Sequence, residues 1–245
     1  MQIYAAAVGL SILGSVGGLI TASAFLLLGA GIRLKVVPWL ISYAVGTLLG
    51  AALLALLPEA LELLPPATAL GTLLVGVLAF FLLEKLVIWR HCHSGHDCEV
   101  HTSSAASLVI VGDAFHAFVD GAVIAAAVVT SVPLGITTAI AVATHEIPQE
   151  VGDVAILLRA GYSRARALSL NLMSAAGGVL GATAMLLASQ ALPNALPYVL
   201  SFAAGSFLYV AMSDLIPDLH RGGVEGGPIK QLLLIGAGIA TIALL

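Results

Sequence analysis

Charge is what this chain has least of. Only 9% of its 245 residues are Asp, Glu, Lys or Arg, against 60% that are hydrophobic, a balance outside that of soluble globular domains. Nine basic and thirteen acidic residues leave a net charge of −4. With no basic stripe, no nucleic acid and no anionic surface is expected as a partner. Cys92 and Cys98 are the only cysteines, too few to staple a fold of this size. The stretch 1–29 has no basic start, and its apolar run is about twice a signal-peptide core, so it reads as a retained first span.

What the chain has in excess is uninterrupted apolar sequence. A membrane span takes about 20 apolar residues, and breaks at 33–38, 58–66, 90–102, 131–133, 159–166, 193–197 and 217–228 leave eight. They run over 3–31, 38–57, 67–89, 104–130, 134–159, 166–191, 196–216 and 228–245. The expected fold is all-α: one polytopic bundle of eight transmembrane helices filling 1–245, multi-pass in the lipid bilayer of the cell membrane. Arg33 and Lys35 follow span one, Lys85 and Arg90 span three, Arg159, Arg164 and Arg166 span five, Arg221 and Lys230 span seven. Basic connections stay in the cytoplasm, which places both termini on the extracytoplasmic side. Small-residue pairs such as Gly14 with Gly18 and Gly177 with Gly181 predict close helix approach.

Against this background the few polar residues inside the spans stand out. His145-Glu146-Ile147-Pro148-Gln149-Glu150 places an imidazole, two carboxylates and an amide on a turn and a half of span five. Such groups are costly in hydrocarbon unless paired, hydrated or bound to a metal. His116 and Asp120 lie at i and i+4 in span four, with Asp113 one turn earlier. The short connection between these spans makes them antiparallel neighbours. At 1.5 Å per residue, Asp120 and His116 lie about 16 and 22 Å below it, and His145 and Gln149 about 18 and 24 Å. The two polar sets therefore meet near the bilayer midplane.

No Lys or Arg lies in the core of either span to pair with them. Imidazole mixed with carboxylate suits zinc and neighbouring first-row divalent ions better than magnesium or calcium. Pro148 withholds a donor from the Thr144 carbonyl and loosens the helix beside the ligands. Candidate metal residues are His116, Asp120, His145, Glu146, Gln149 and Glu150. Asp113, Asp153 and Asp214, followed by Asp218 and His220, continue toward the cytoplasm as an expected path for a cation. Glu59 and Glu62 flank Pro58 on the outer side. Between spans three and four, His91, Cys92, His93, His96, Cys98 and His101 form a dense cytoplasmic tract within 90–102, which suits a weak metal acceptor, buffer or sensor better than a fixed finger.

Two rivals to a metal carrier follow from the same residues. An intramembrane zinc metalloprotease would use His145-Glu146 as the start of H-E-x-x-H, but Gln149 stands at the second histidine position. A proton or monovalent-cation pathway would use the Asp, Glu and His residues as a relay. In the carrier reading, protonation of His116, His145 or a carboxylate would favour metal release.

Over its whole length the chain resembles the ZIP (Zrt/Irt-like protein) family of divalent-metal transporters. His116-Ala117-Phe118-Val119-Asp120-Gly121 stands against that family's H-N-x-x-D-G, and His145-Glu146-Ile147-Pro148-Gln149-Glu150 against its H-E-I-P-H-E. The resemblance implies a non-enzymatic transporter and a central site between spans four and five. It also implies zinc or another divalent transition metal as transported substrate rather than cofactor, movement toward the cytoplasm, and a homodimer. By position, His116, Asp120 and His145 match ligands of a main site and Glu146 a ligand of a second. Ala117 and Gln149 depart from the pattern: alanine has no donor atom and a neutral amide is a poor zinc ligand. One principal site is expected, with Glu150 compensating for Gln149.

Overall fold

The computed structural model describes residues 2–26, 30–89, 102–221 and 227–245. Among these, eight helical rods run in chain order: α1 (Gln2–Leu26), α2 (Ala30–Gly50 continuing through Ala51–Leu56 and Leu57–Leu63), α3 (Pro66–Trp89), α4 (Thr102–Thr130), α5 (Val132–Arg159), α6 (Arg164–Ala191), α7 (Leu196–Tyr209 continuing through Val210–Leu215 and Ile216–Arg221) and α8 (Gly227–Ala243). Six stretches are long and apolar enough to cross a membrane, in α1, α2, α3, α4, α6 and α7, while α8 is a shorter apolar helix. A seventh long rod, α5, has the length to span but carries Glu146, Glu150 and Asp153.

Several expected breaks are not breaks. The stretch 33–38 lies within α2, where Pro38 is accommodated inside the helix. Proline lacks an N–H, which frees the carbonyl of Leu34, but a helix packed among others tolerates it; one turn on, Ser42 donates its hydroxyl to the Pro38 carbonyl at 2.7 Å. Arg33 and Lys35 are therefore helical rather than in a loop. Likewise α2 continues past Pro58 to Leu63, and α7 past Pro217 to Arg221. In both rods the turn before the proline widens to π geometry, with Leu57 N–H reaching the carbonyl of Ala52 and Ile216 N–H that of Ala211. α5, where Pro148 was expected to disturb the ladder, is assigned as one continuous helix. The His/Cys tract at His91 to His101 lies outside the described residues.

The rods sort by packing into two sets. α4 lies chiefly on α6, α1 lies on α5, α6 and α4, and α5 meets α4; in the other set α2 lies on α8 and α3 on α7, and α2 joins the sets by packing on α5. Glycine makes each close contact. A methyl on Gly181 would sit 1.8 Å from the Phe118 carbonyl oxygen, and one on Gly121 1.8 Å from that of Gly178. In the second set Gly46 meets the Ile235 carbonyl and Gly238 that of Tyr43, while Gly205 meets Leu73 and Gly76 meets Phe202. The last two contacts reproduce the first two, because α2 and α7 repeat each other. Ser42, Ala44, Gly46, Ala52 and Pro58 recur as Ser201, Ala203, Gly205, Ala211 and Pro217, an internal duplication of the kind found in transporter folds.

Between α4 and α5 only Ser131 is non-helical. It caps α5, accepting a hydrogen bond from Leu134 N at 3.3 Å, and Pro133 fills a first-turn position where no N–H is needed. The turn forces the two helices antiparallel, which sets their polar residues face to face. Gly181→Ala should destabilise the protein by about 1–3 kcal/mol, as overpacking does, while Gly236→Ala, which meets nothing within 4 Å, should leave it unchanged. Thermal unfolding of both variants in detergent checks this contrast.

Candidate metal centre

His116 and Asp120 project from one face of α4, and His145 from α5 across the hairpin. Their donor atoms converge. His116 Nε2 and His145 Nε2 are 3.2 Å apart, His145 Nε2 and Asp120 Oδ2 3.1 Å, and His116 Nε2 and Asp120 Oδ2 3.6 Å. Zinc held tetrahedrally by bonds of about 2.0–2.1 Å separates its ligand atoms by about 3.3–3.4 Å. The triangle thus has the dimensions of one face of such a tetrahedron. Glu146 completes a group of four whose ligand atoms all lie within 4.8 Å of one another.

The imidazole of His145 is pre-oriented. Its Nδ1 donates to the Ala141 carbonyl at 3.0 Å, which puts the hydrogen on Nδ1 and leaves the Nε2 lone pair facing the triangle. Edge-on aromatic contacts hold both rings: Phe80 of α3 lies 6.2 Å from His116 and Phe207 of α7 lies 6.0 Å from His145, centroid to centroid. Asp120, His145, Glu146 and Glu150 are all buried. Asp120 Oδ2, Glu146 Oε1 and Glu150 Oε1 have no hydrogen-bond donor. Buried carboxylate oxygens without donors are costly, and for Asp120 and Glu146 a cation at the triangle would supply what the protein does not.

The remaining sequence-derived candidates separate. Gln149 turns its amide to Asp113, donating to Oδ1 at 3.1 Å, and the other Asp113 oxygen accepts from Ser174 Oγ. Glu150 Oε2 accepts from Asn171 Nδ2 at 2.7 Å, so Glu150 stands outside the group of four. A cavity of about 400 Å³ opens from His116 and His145 past Asp113, Gln149 and Asp153 to Asp214 and Asp218. His220 is exposed, and Glu59 and Glu62 lie in the short helix Leu57–Leu63.

Sequence reasoning missed two groups. Asn171 and Ser174 of α6 hold Glu150 and Asp113, and their signal was a polar pair one turn apart on the buried face that continues as Gly178 and Gly181. Glu84 of α3 lines the cavity and accepts a hydrogen bond from Tyr209 of α7; its signal was a carboxylate inside an apolar span.

The sequence profile described as ZIP Zinc transporter matches residues 90–245. "Zinc transporter ZIP13" of Pongo abelii is 35% identical over 222 residues, covering 84% of this chain and 65% of that protein. Its namesake in Homo sapiens is 30% identical over 257 residues, covering 84% and 69%. "Zinc transporter YKE4" of Saccharomyces cerevisiae is 29% identical over 241 residues, covering 84% and 70%. The chain thus spans about two thirds of the length of these relatives. On the profile match and on these relatives, the chain belongs to the ZIP zinc transporter family.

Proposed function

We propose that this protein carries divalent transition-metal ions, zinc foremost, across a membrane through the site between α4 and α5. The observation that carries this reading is the His116, His145 and Asp120 triangle, with edges suited to a tetrahedral ion, at the head of a cavity lined by further carboxylates. An acidic cavity that opens directly from the ligands suits an ion that arrives and leaves, rather than one stored. Iron, cadmium, manganese and cobalt share enough ligand chemistry to compete.

His116, Asp120 and His145 are the principal ligands, with Glu146 the fourth. Asp113, Asp153 and Asp214 form the path beyond, joined by Glu84. Gln149 and Glu150 act at the rim of the site, each held by a neighbour. The basic connections place the cavity mouth on the cytoplasmic side, so the ion moves inward, past the His/Cys tract at 90–102, which serves as a weak acceptor. The protein works as a homodimer in the bilayer and is not an enzyme. The protease reading lacks a second histidine at Gln149, whose amide is committed to Asp113.

Purified protein should bind zinc near-stoichiometrically. His116→Ala or Asp120→Ala should weaken binding by more than about 100-fold, since even outer partners of ligands account for about 10–100-fold. Zinc flux into proteoliposomes should fall with it. Binding that survives both substitutions sinks the site assignment, and proton flux without specific metal binding favours the relay reading. Gln149→His should tighten zinc binding by about tenfold and reorder a flux panel of zinc, cadmium, iron, manganese and cobalt. An unchanged panel removes position 149 from the site.

A further inference from the structure

Thr47 lies on α2, which supplies none of the four ligands, yet it is fully buried and in polar contact with the site-bearing hairpin. Its Oγ1 lies 2.6 Å from Thr144 Oγ1, the residue before His145. This hydrogen bond ties the two sets of helices together beside the site. Thr47 Oγ1 also lies 3.0 Å from the Ala44 carbonyl. Thr144 Oγ1 lies 2.9 Å from the Ala141 carbonyl, the same oxygen that receives the His145 Nδ1–H.

Counting hydrogens resolves this chain. The Ala141 carbonyl is also the helical i−4 partner of the His145 backbone N–H. Three donors therefore compete for an oxygen with two lone pairs. Each threonine hydroxyl has one hydrogen. If Thr47 gives its own to Ala44, its oxygen is free to accept from Thr144, and 2.6 Å is a short contact for such a bond. The Thr144 hydrogen then leaves Ala141, whose carbonyl is shared only by the backbone and the imidazole. Every donor is satisfied in this arrangement alone. It matters most here because Pro148 has already removed one backbone bond from this turn of α5.

We propose that Thr47 is a positioning residue for His145: by accepting the Thr144 hydroxyl hydrogen it reserves the Ala141 carbonyl for the imidazole Nδ1–H, and so keeps Nε2 aimed at the metal. This inference rests on the metal reading above. Loss of the acceptor sends the Thr144 hydroxyl back to Ala141, where it competes with the ring. Loss of the Thr144 hydroxyl removes the competitor itself.

The test is rescue, read as zinc affinity by competition against a chromogenic chelator, with purified wild-type protein and three variants. Thr47→Val should weaken zinc binding about tenfold, the low end of what an outer partner of a ligating histidine supplies. Thr144→Val should bind within about twofold of wild type, and Thr47→Val/Thr144→Val should recover wild-type affinity, because the shared carbonyl is then uncontested. A packing role for Thr47 would not be rescued by a second substitution. The inference is overturned if Thr47→Val binds like wild type, or if the double variant stays as weak as Thr47→Val. Failure of the wild-type protein to bind zinc would instead overturn the metal reading, and His116→Ala is the control that separates the two.

Discussion

Everything around the hairpin of α4 and α5 answers to one constraint: carboxylates buried in a bundle where, among the described residues, no lysine or arginine pairs with them. Asp120 and Glu146 are almost wholly shielded, and each has an oxygen that no protein donor reaches. In a membrane interior that condition is tolerable only with a positive partner, mobile or bound. The protein handles it by concentrating the deficit. Asp113 and Glu150, one turn away along their helices, are each given donors from Ser174, Gln149 and Asn171. Apart from the second oxygen of Glu150, unmet demand is thereby focused where Asp120 and Glu146 face the two histidines.

Holding such a site requires helices closer than ordinary side chains allow. Gly121, Gly177 and Gly181 let the backbones of α4 and α6 touch, and this brings Asn171 and Ser174 within reach of the carboxylates. Gly18 does the same from the opposite side, where a methyl would sit 2.9 Å from Glu146 Cβ. The glycines that looked generic in the sequence are therefore part of the ligand geometry. They set how far each donor stands from the ion.

Much of the fold was legible because the bilayer imposes it: eight rods, and an antiparallel pair at Ser131. The meeting of His116 with His145 was legible because a one-residue connection fixes the relative depth of the two helices. Helix ends at Pro38, Pro58 and Pro217 were misread, because proline signals a break in water but is tolerated in a helix packed among others, at Pro58 and Pro217 beside a widened turn. The roles of Asn171, Ser174 and Glu84 were hidden for another reason. They depend on which helices pack together across long sequence separations, and spacing along one helix carries no such information. The repeat between α2 and α7 was present in the sequence throughout, but it gained meaning only from the matching glycine contacts.

The widened turns at Ala51–Leu56 and Val210–Leu215 each hold an extra residue relative to an α-helix. One residue is worth about 100° of rotation. The face that α7 shows above Tyr209 is therefore out of phase with the one it shows below, at Asp214 and Asp218. Removing a single residue from 210–213 would restore a regular helix, yet swing both carboxylates away from the cavity. The acidity of the cavity mouth is in that sense a matter of phase: the same amino acids, threaded one residue shorter, would present it to lipid or to protein.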